Sequence, residues 1–482
     1  MKIEKHIVHH HIHLFVLCLF ATGIVASKFL MSMGILIGLL NLITEAEFKK
    51  YYLSLKKNKF FIAILIFFIL HVLGMIWSEN MDYGFNDLRR KLSMLAVPII
   101  LISRPISSLK EYKKIIFCFI GALIITSIIN TSYFFWLSED SQYKDLRELS
   151  LFNSHIRYAI MIALAIPLLY QFNAVSKKRK VLFAIIVIWF LYYTYISQVL
   201  TGIISLCAIL LAYMIYQWIV KGQIKSMWLL LLTIVFGFGF AYKAFFSEYK
   251  MLKDTDIDFY SMQQEWIKKS KSSFDGLDGR GQELKFTAAR FLHSKDLPSN
   301  GTGVKRLLPL EVKAIENGKA NVKEMDMGFW GRIEGLRYQL RHSSDPNGHS
   351  LLQRYEAWKT GFEIYKDHYL LGTGTGDIDD SFTEKYRENE SKLTAVNQIR
   401  GHNMYLTSLL TFGPIGLFLF LYLIGVHLKI QLQSKQFIGF VFMTVMVITF
   451  LFEDTLETQT GITLFSFFAA LYSIPLPSLG ND

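Results

Sequence analysis

Two stretches in the last third of the sequence bring together side chains suited to handling an anionic leaving group and a proton. From Ser350 the chain reads SLLQRYEAWKTGFEIYKDHYLLGTGTGD, and after a polar interval it continues GHNMYLTSLLTFGPIGLFLFLYLI. Arg354 offers a planar, permanently charged fork that can grip a phosphate or diphosphate as negative charge builds on it. A histidine, with an unperturbed pKa of ~6.5 as a residue type, can take a proton from an attacking hydroxyl, and His402 is the candidate. Arg157, in the His155-Ile156-Arg157 motif, is a second cation of the same kind.

Blander readings compete with each of these. Arg354 can pair with Glu356 or Glu363 on a solvated helix face, His402 can cap a helix, and Arg157 can simply hold the end of an apolar segment. Gly372-Thr373-Gly374-Thr375-Gly376 lacks the Lys-Ser or Lys-Thr of a phosphate loop, and no strand precedes it, so it reads as a turn. Asp377, Asp379 and Asp380 have the spacing of an Asp-x-Asp metal site. His71, inside an apolar run, is a polar group where such groups often mark function. Glu453 and Glu457 are placed to orient His402 or an acceptor.

The elements that must hold these residues are membrane spans. Hydrophobic residues make up 52% of the 482 and aromatics 15%, beyond the usage of a water-soluble domain. About twelve apolar runs approach the length needed to cross a ~30 Å hydrocarbon core. They cover 7–26, 29–43, 60–77, 92–103, 115–137, 156–172, 181–196, 199–219, 226–243, 404–426, 436–452 and 460–476. Residues 1–243 thus carry nine spans and 404–482 three. Between them, 244–403 balances its basic and acidic residues and predicts a mainly helical insert facing water. Its clearest helix is 351–367, where Leu351, Leu352, Tyr355, Trp358, Phe362 and Tyr365 recur at helical spacing and Ser350 is a suitable N-cap.

The net charge of +12 follows from topology rather than from nucleic-acid binding. Lysine and arginine cluster at 49–59, 110–114, 177–180, 221–225 and 429–435, all on one side if twelve spans alternate, and that side is predicted to be cytoplasmic along with both termini. Acidic residues at 139–148 and 453–457 fall on the other. Arg89, Arg90 and Lys91 run against the pattern and would lie outside, where they either serve an anionic substrate or mark an error in the span count. The His9, His10, His11, His13 cluster sits at the inner end of the first span, away from the proposed chemistry. Cys18, Cys118 and Cys207 all lie in apolar runs, which leaves the insert without a disulfide.

The region 350–416 resembles the O-antigen ligase and polymerase family. The likeness rests on Arg354 with Trp358 one turn later, the Gly372, Gly374, Gly376 loop, His402-Asn403 followed by Tyr405 and Leu406, and Gly413 with Gly416. It implies an all-α polytopic inner-membrane enzyme of about twelve helices with a periplasmic loop domain. Such an enzyme moves a glycan from undecaprenyl diphosphate to an acceptor hydroxyl by inverting displacement, without metal or cofactor. The resemblance makes Arg354 and His402 the catalytic pair, with Arg157, Trp358, Asn403 and Tyr405 as donor-binding residues. A further family arginine is missing, because the stretch concerned reads Gln198-Val199-Leu200-Thr201-Gly202. Arg157 is predicted to replace it. Lipid A core is the favoured acceptor. A polymerase extending lipid-linked repeat units, and then a protein O-oligosaccharyltransferase, are the alternatives. A lipid-glycan flippase would need more charge within its spans than these runs contain.

Overall fold

A backbone in hydrocarbon has no water to bond, so it must satisfy its own N–H and C=O groups, and a helix does this within one segment. The computed structural model of the chain meets that demand throughout its apolar regions. It describes residues 2–137, 149–172, 176–246, 257–325 and 350–476, together with Ile333, Leu336, Arg337, Pro346 and Asn347. Among these residues the chain is all helical, with no strand.

Each of the twelve apolar runs falls on a helix. Seven of these helices are long and apolar enough to cross a membrane: His6–Ala26, Lys28–Glu45, Lys59–Trp77, Leu109–Trp136, Lys177–Ser197, Leu200–Lys221 and Met404–Gln433. Three more, His155–Tyr170, Ile224–Gly237 and Phe437–Thr449, are apolar but shorter. Ser93–Ser103 and Gln459–Ser473 complete the set and pack against each other. Every residue of the latter from Thr460 to Tyr472 is buried, as befits a helix that is apolar around its whole circumference. It runs through the bundle core beside Phe20, Phe60, Phe119 and Phe442.

Polar contacts sort the helix ends into two groups. Asn58 donates to the Ser473 carbonyl at 3.2 Å, the Tyr216 hydroxyl to that of Lys435 at 2.6 Å, and Tyr112 meets both Gln171 and Tyr472. The lysine clusters next to these residues therefore share one end of the bundle. At the other end Asn153 donates to the Ile24 carbonyl, Arg157 meets Glu453 and Lys91 meets Glu457. The acidic stretch 139–148 lies outside the described residues. Of the histidine cluster, two members face the bundle interior: His9 bonds Asn41 at 2.8 Å, and His13 is buried beside Arg104.

The insert is two structures rather than one. Helices Phe259–Trp266, Leu284–Ser294, Gly301–Lys305 and Pro309–Glu316 enclose their own core of Met262, Trp266, Phe291, Leu292 and Ile315. Asp278 fixes the turn between them, accepting from the backbone of Arg280 and Gln282 and from the Thr287 hydroxyl at 2.6 Å. Residues 350–403 behave differently. Their helices Ser350–Asp367 and Ile378–Glu388 share a core, through Ile364, Phe382 and Tyr386, with Leu406 and Leu410 of the following span. The helix predicted at 351–367 is present over Ser350–Asp367.

Candidate active site

The loop 398–403 is pinned at almost every residue. Tyr386 donates its hydroxyl to the Ile399 carbonyl at 2.9 Å, and Trp358 its indole N–H to the Gly401 carbonyl at 2.5 Å. Arg400 reaches Glu457 at 3.0 Å and the Tyr83 hydroxyl at 2.9 Å. Asn403 caps Met404–Gln433, its side chain accepting from the N–H groups of Tyr405 and Leu406. Between these anchors stands His402, with φ of +42°, a left-handed conformation that a non-glycine residue holds only where its surroundings impose it. Its Nδ1 is buried without a hydrogen-bond partner and lies 4.0 Å from Asp454 Oδ2. That separation is too long for a hydrogen bond. Asp454 is itself oriented by the Thr407 hydroxyl at 3.0 Å.

Around His402 gather the two predicted arginines. Arg157, in the first turn of His155–Tyr170, donates to Glu453 at 3.1 Å. Burial pushes the Glu453 carboxyl above its usual range, against the pull of Arg157, His402 and Arg354, with Asp454 adding to the push. Burial in turn lowers the Arg354 guanidinium, while Glu453 and Asp454 oppose the shift. Arg354, Arg157 and His402 therefore converge on one acidic pair. Among the described residues none accepts a hydrogen bond from Arg354, which feels the charge of Glu453 and Asp454 without bonding either.

The stretch Gln198–Gly202 is a tight corner between two spans, and a side chain at Gly202 would meet Ala159 at 3.0 Å. Arg157 precedes Ala159 by two residues on the His155–Tyr170 helix and is paired with Glu453. Trp358 sits beside His402 through its bond to Gly401. The Asn403 carbonyl oxygen is committed to the helix cap. The Tyr405 hydroxyl is turned to the Val447 carbonyl at 2.8 Å, with its ring against Phe420 and Phe450. These contacts fix both residues at the start of the span that carries the site.

Sequence reading missed Asp454 as the neighbour of His402 and missed Arg400 altogether. It also left open what Lys91 does. Lys91 is buried and holds Asp87 at 2.6 Å and Glu457 at 2.9 Å, so of the outlying basic cluster this charge is internal rather than waiting for a substrate. Arg90 lies over the Tyr83 ring. His71 bonds its own helix at the Phe67 carbonyl and lines a small buried cavity with Lys91, Arg400 and Glu457.

The three aspartates after the glycine turn all have protein partners. Asp377 accepts from the backbone of Glu79 and Asn80 at 2.8 and 2.7 Å, Asp380 from the Asn80 amide at 2.7 Å, and Asp379 faces Arg400 at 3.3 Å. An open cleft of about 780 Å³ lies at the far end of the Ser350–Asp367 helix, lined by Trp77, His368, Tyr369, Asp377 and Asp380. It takes in neither Arg354 nor His402, and the converging charges mark the chemistry better than the volume does.

Compared with known families, residues 182–421 match the O-antigen ligase model. The match contains Arg354, His402 and the missing-arginine corner, while Arg157 precedes it. No curated protein is similar enough to the chain to be matched with it.

Proposed function

The chain belongs to the O-antigen ligase family, and we propose that it transfers a glycan from undecaprenyl diphosphate to a sugar hydroxyl at the periplasmic face of the inner membrane. The observation that carries this reading is the convergence of Arg354, Arg157 and His402 on Glu453 and Asp454 at the end of the bundle away from the lysine clusters. By the positive-inside rule the lysine-rich end is cytoplasmic, so the site faces the periplasm. Twelve crossings, with both termini inside, fit the twelve helices.

In the proposed step the acceptor oxygen attacks the anomeric carbon on the face opposite the diphosphate. The new C–O bond forms as the bond to the diphosphate oxygen breaks, and the configuration inverts. The hydroxyl proton passes to His402, which has Asp454 as its acidic neighbour at 4.0 Å. The departing diphosphate takes the bonding electron pair, and its charge is met by the fork of Arg354 and by Arg157. Trp358 holds the loop carbonyl next to His402 and so keeps the base in register. Arginine supplies the cationic charge, so the reaction needs no metal.

Lipid A core is the proposed acceptor. The lipopolysaccharide ladder of a strain lacking the gene tests this against the polymerase reading. Bare core with polymer left on the lipid carrier supports a ligase. Core capped by a single repeat would make the chain a polymerase.

A further inference from the structure

We infer that residues 369–376 form a wedge seated in the bilayer, with Tyr369, Leu370 and Leu371 facing lipid acyl chains. The first argument is depth. Met404–Gln433 is broken at Gly413, with φ of +63°, and Pro414 follows. Gly413 stands nine residues past Met404, about 14 Å along the axis at ~1.5 Å per residue. Pro414 has no N–H for the Leu410 carbonyl, and the break removes the partner of Thr411. Both carbonyls are satisfied from the loop: Thr373 N–H donates to Leu410 and Gly374 N–H to Thr411, each at 2.9 Å.

The opposite side of the loop is tied just as firmly to a second span. The Thr375 hydroxyl donates to the His71 carbonyl at 2.7 Å, and Gly376 N–H donates to the Ser78 hydroxyl at 2.9 Å. Irregular backbone survives at membrane depth only where protein groups complete its hydrogen bonds, and here two spans do so. Contact is close enough to require glycine. A side-chain carbon at Gly413 would lie 2.2 Å from the Leu370 carbonyl oxygen, and one at Gly372 would lie 2.4 Å from the Thr411 backbone.

The second argument is continuity of the apolar surface. Tyr369, Leu370 and Leu371 are three successive large apolar side chains, with Leu370 63% exposed. The spans that grip the loop present Leu73 and Ile76 on one side and Ile415 and Phe418 on the other, also exposed. Those residues belong to helices of membrane-crossing length, whose outward face is lipid. Exposed leucines next to them are accounted for by the same acyl chains, and no water-facing surface need carry them.

The test replaces Cys18, Cys118 and Cys207 by Ala in the full chain and attaches an environment-sensitive fluorophore at Leu371→Cys in nanodiscs. Phe418→Cys serves as the lipid control and Val396→Cys, 91% exposed in the loop, as the water control. The wedge predicts quenching at Leu371 by acyl-chain nitroxides comparable to that at Phe418, and iodide quenching several-fold weaker than at Val396. Iodide quenching equal to that at Val396, or no quenching by either agent, would overturn it. Neither readout depends on glycan transfer.

Discussion

Glu457 takes Lys91 on one carboxylate oxygen, at 2.9 Å, and Arg400 on the other, at 3.0 Å. Arg400 is two residues before His402, and Glu457 is three after Asp454. One carboxylate therefore ties together the short Met81–Lys91 helix, the loop bearing the proposed base and the loop bearing its acidic neighbour. Burial alone would raise the Glu457 carboxyl, but Lys91 and Arg400 draw it down to about 2.

Removing that carboxylate breaks two buried pairs at once, leaving Lys91 to Asp87 and Arg400 to Asp379. Glu457→Ala is expected to destabilise the protein by about 3–5 kcal/mol, the range for breaking a buried pair on one side. Lys91→Met combined with Glu457→Ala should lose less than the two single changes added together, because each partner's unpaired charge disappears with the other. Thermal unfolding in detergent measures both. A depressed carboxyl stabilises the fold above its unfolded pKa and ceases to do so as pH falls through the folded value. Wild type should therefore lose stability from about pH 4.5 toward pH 2 relative to Glu457→Gln. Equal acid sensitivity of the two proteins would remove Glu457 from this role.

Gly372→Ala should be costly, since it combines a φ of +70° with a 2.4 Å approach to backbone that has no room to yield. Strain and overpacking of this kind are worth about 1–3 kcal/mol each. Gly121→Ala, where nothing lies within 4 Å, is the matched control and should leave stability unchanged or slightly raised. Similar melting temperatures for the two variants would mean that the glycine turn does not grip the span.

Transfer activity on a purified lipid-linked donor should survive exhaustive chelation. The carboxylates most suited to a cation, Asp377, Asp379 and Asp380, are each engaged by a backbone, arginine or amide donor. Loss of activity in EDTA with rescue by Mg²⁺ or Mn²⁺ would shift the chemistry toward those residues.

The helices were legible because span length and helical periodicity are local properties, and hydrophobic residues alone reveal them. Each apolar run from 7–26 to 460–476 became a helix, and Trp358 and Tyr365 follow the spacing that predicted Ser350–Asp367. Pairings across the chain were not legible. Lys91 and Glu457 are 366 positions apart, and Arg157 and Glu453 are 296 apart. No periodicity links such residues, so Lys91 looked like a topological outlier and Asp454 read only as one of the acids on the outer side. The helix cap that Asn403 makes and the bond from Tyr405 to the Val447 carbonyl were likewise not announced by any spacing.

The final prediction separates the two central residues by role. If Arg354 grips the diphosphate through paired hydrogen bonds, Arg354→Lys keeps the charge and loses the fork, so transfer should stay strongly impaired and donor binding should weaken with it. His402→Ala should instead lower turnover by roughly 10²–10⁴-fold, the usual contribution of a general base, with donor affinity nearly unchanged. The strained φ of +42° adds a check, since His402→Gly relieves the backbone without restoring the imidazole. If position 402 serves only to shape the loop, the glycine variant should be close to wild type. If the imidazole is the base, it should be as slow as His402→Ala. Donor affinity and single-turnover transfer, measured in nanodiscs on variants that match wild type in expression and melting, decide between these outcomes. A His402→Ala protein that turns over normally, or that loses donor binding as fully as Arg354→Ala, would show that His402 is not the base.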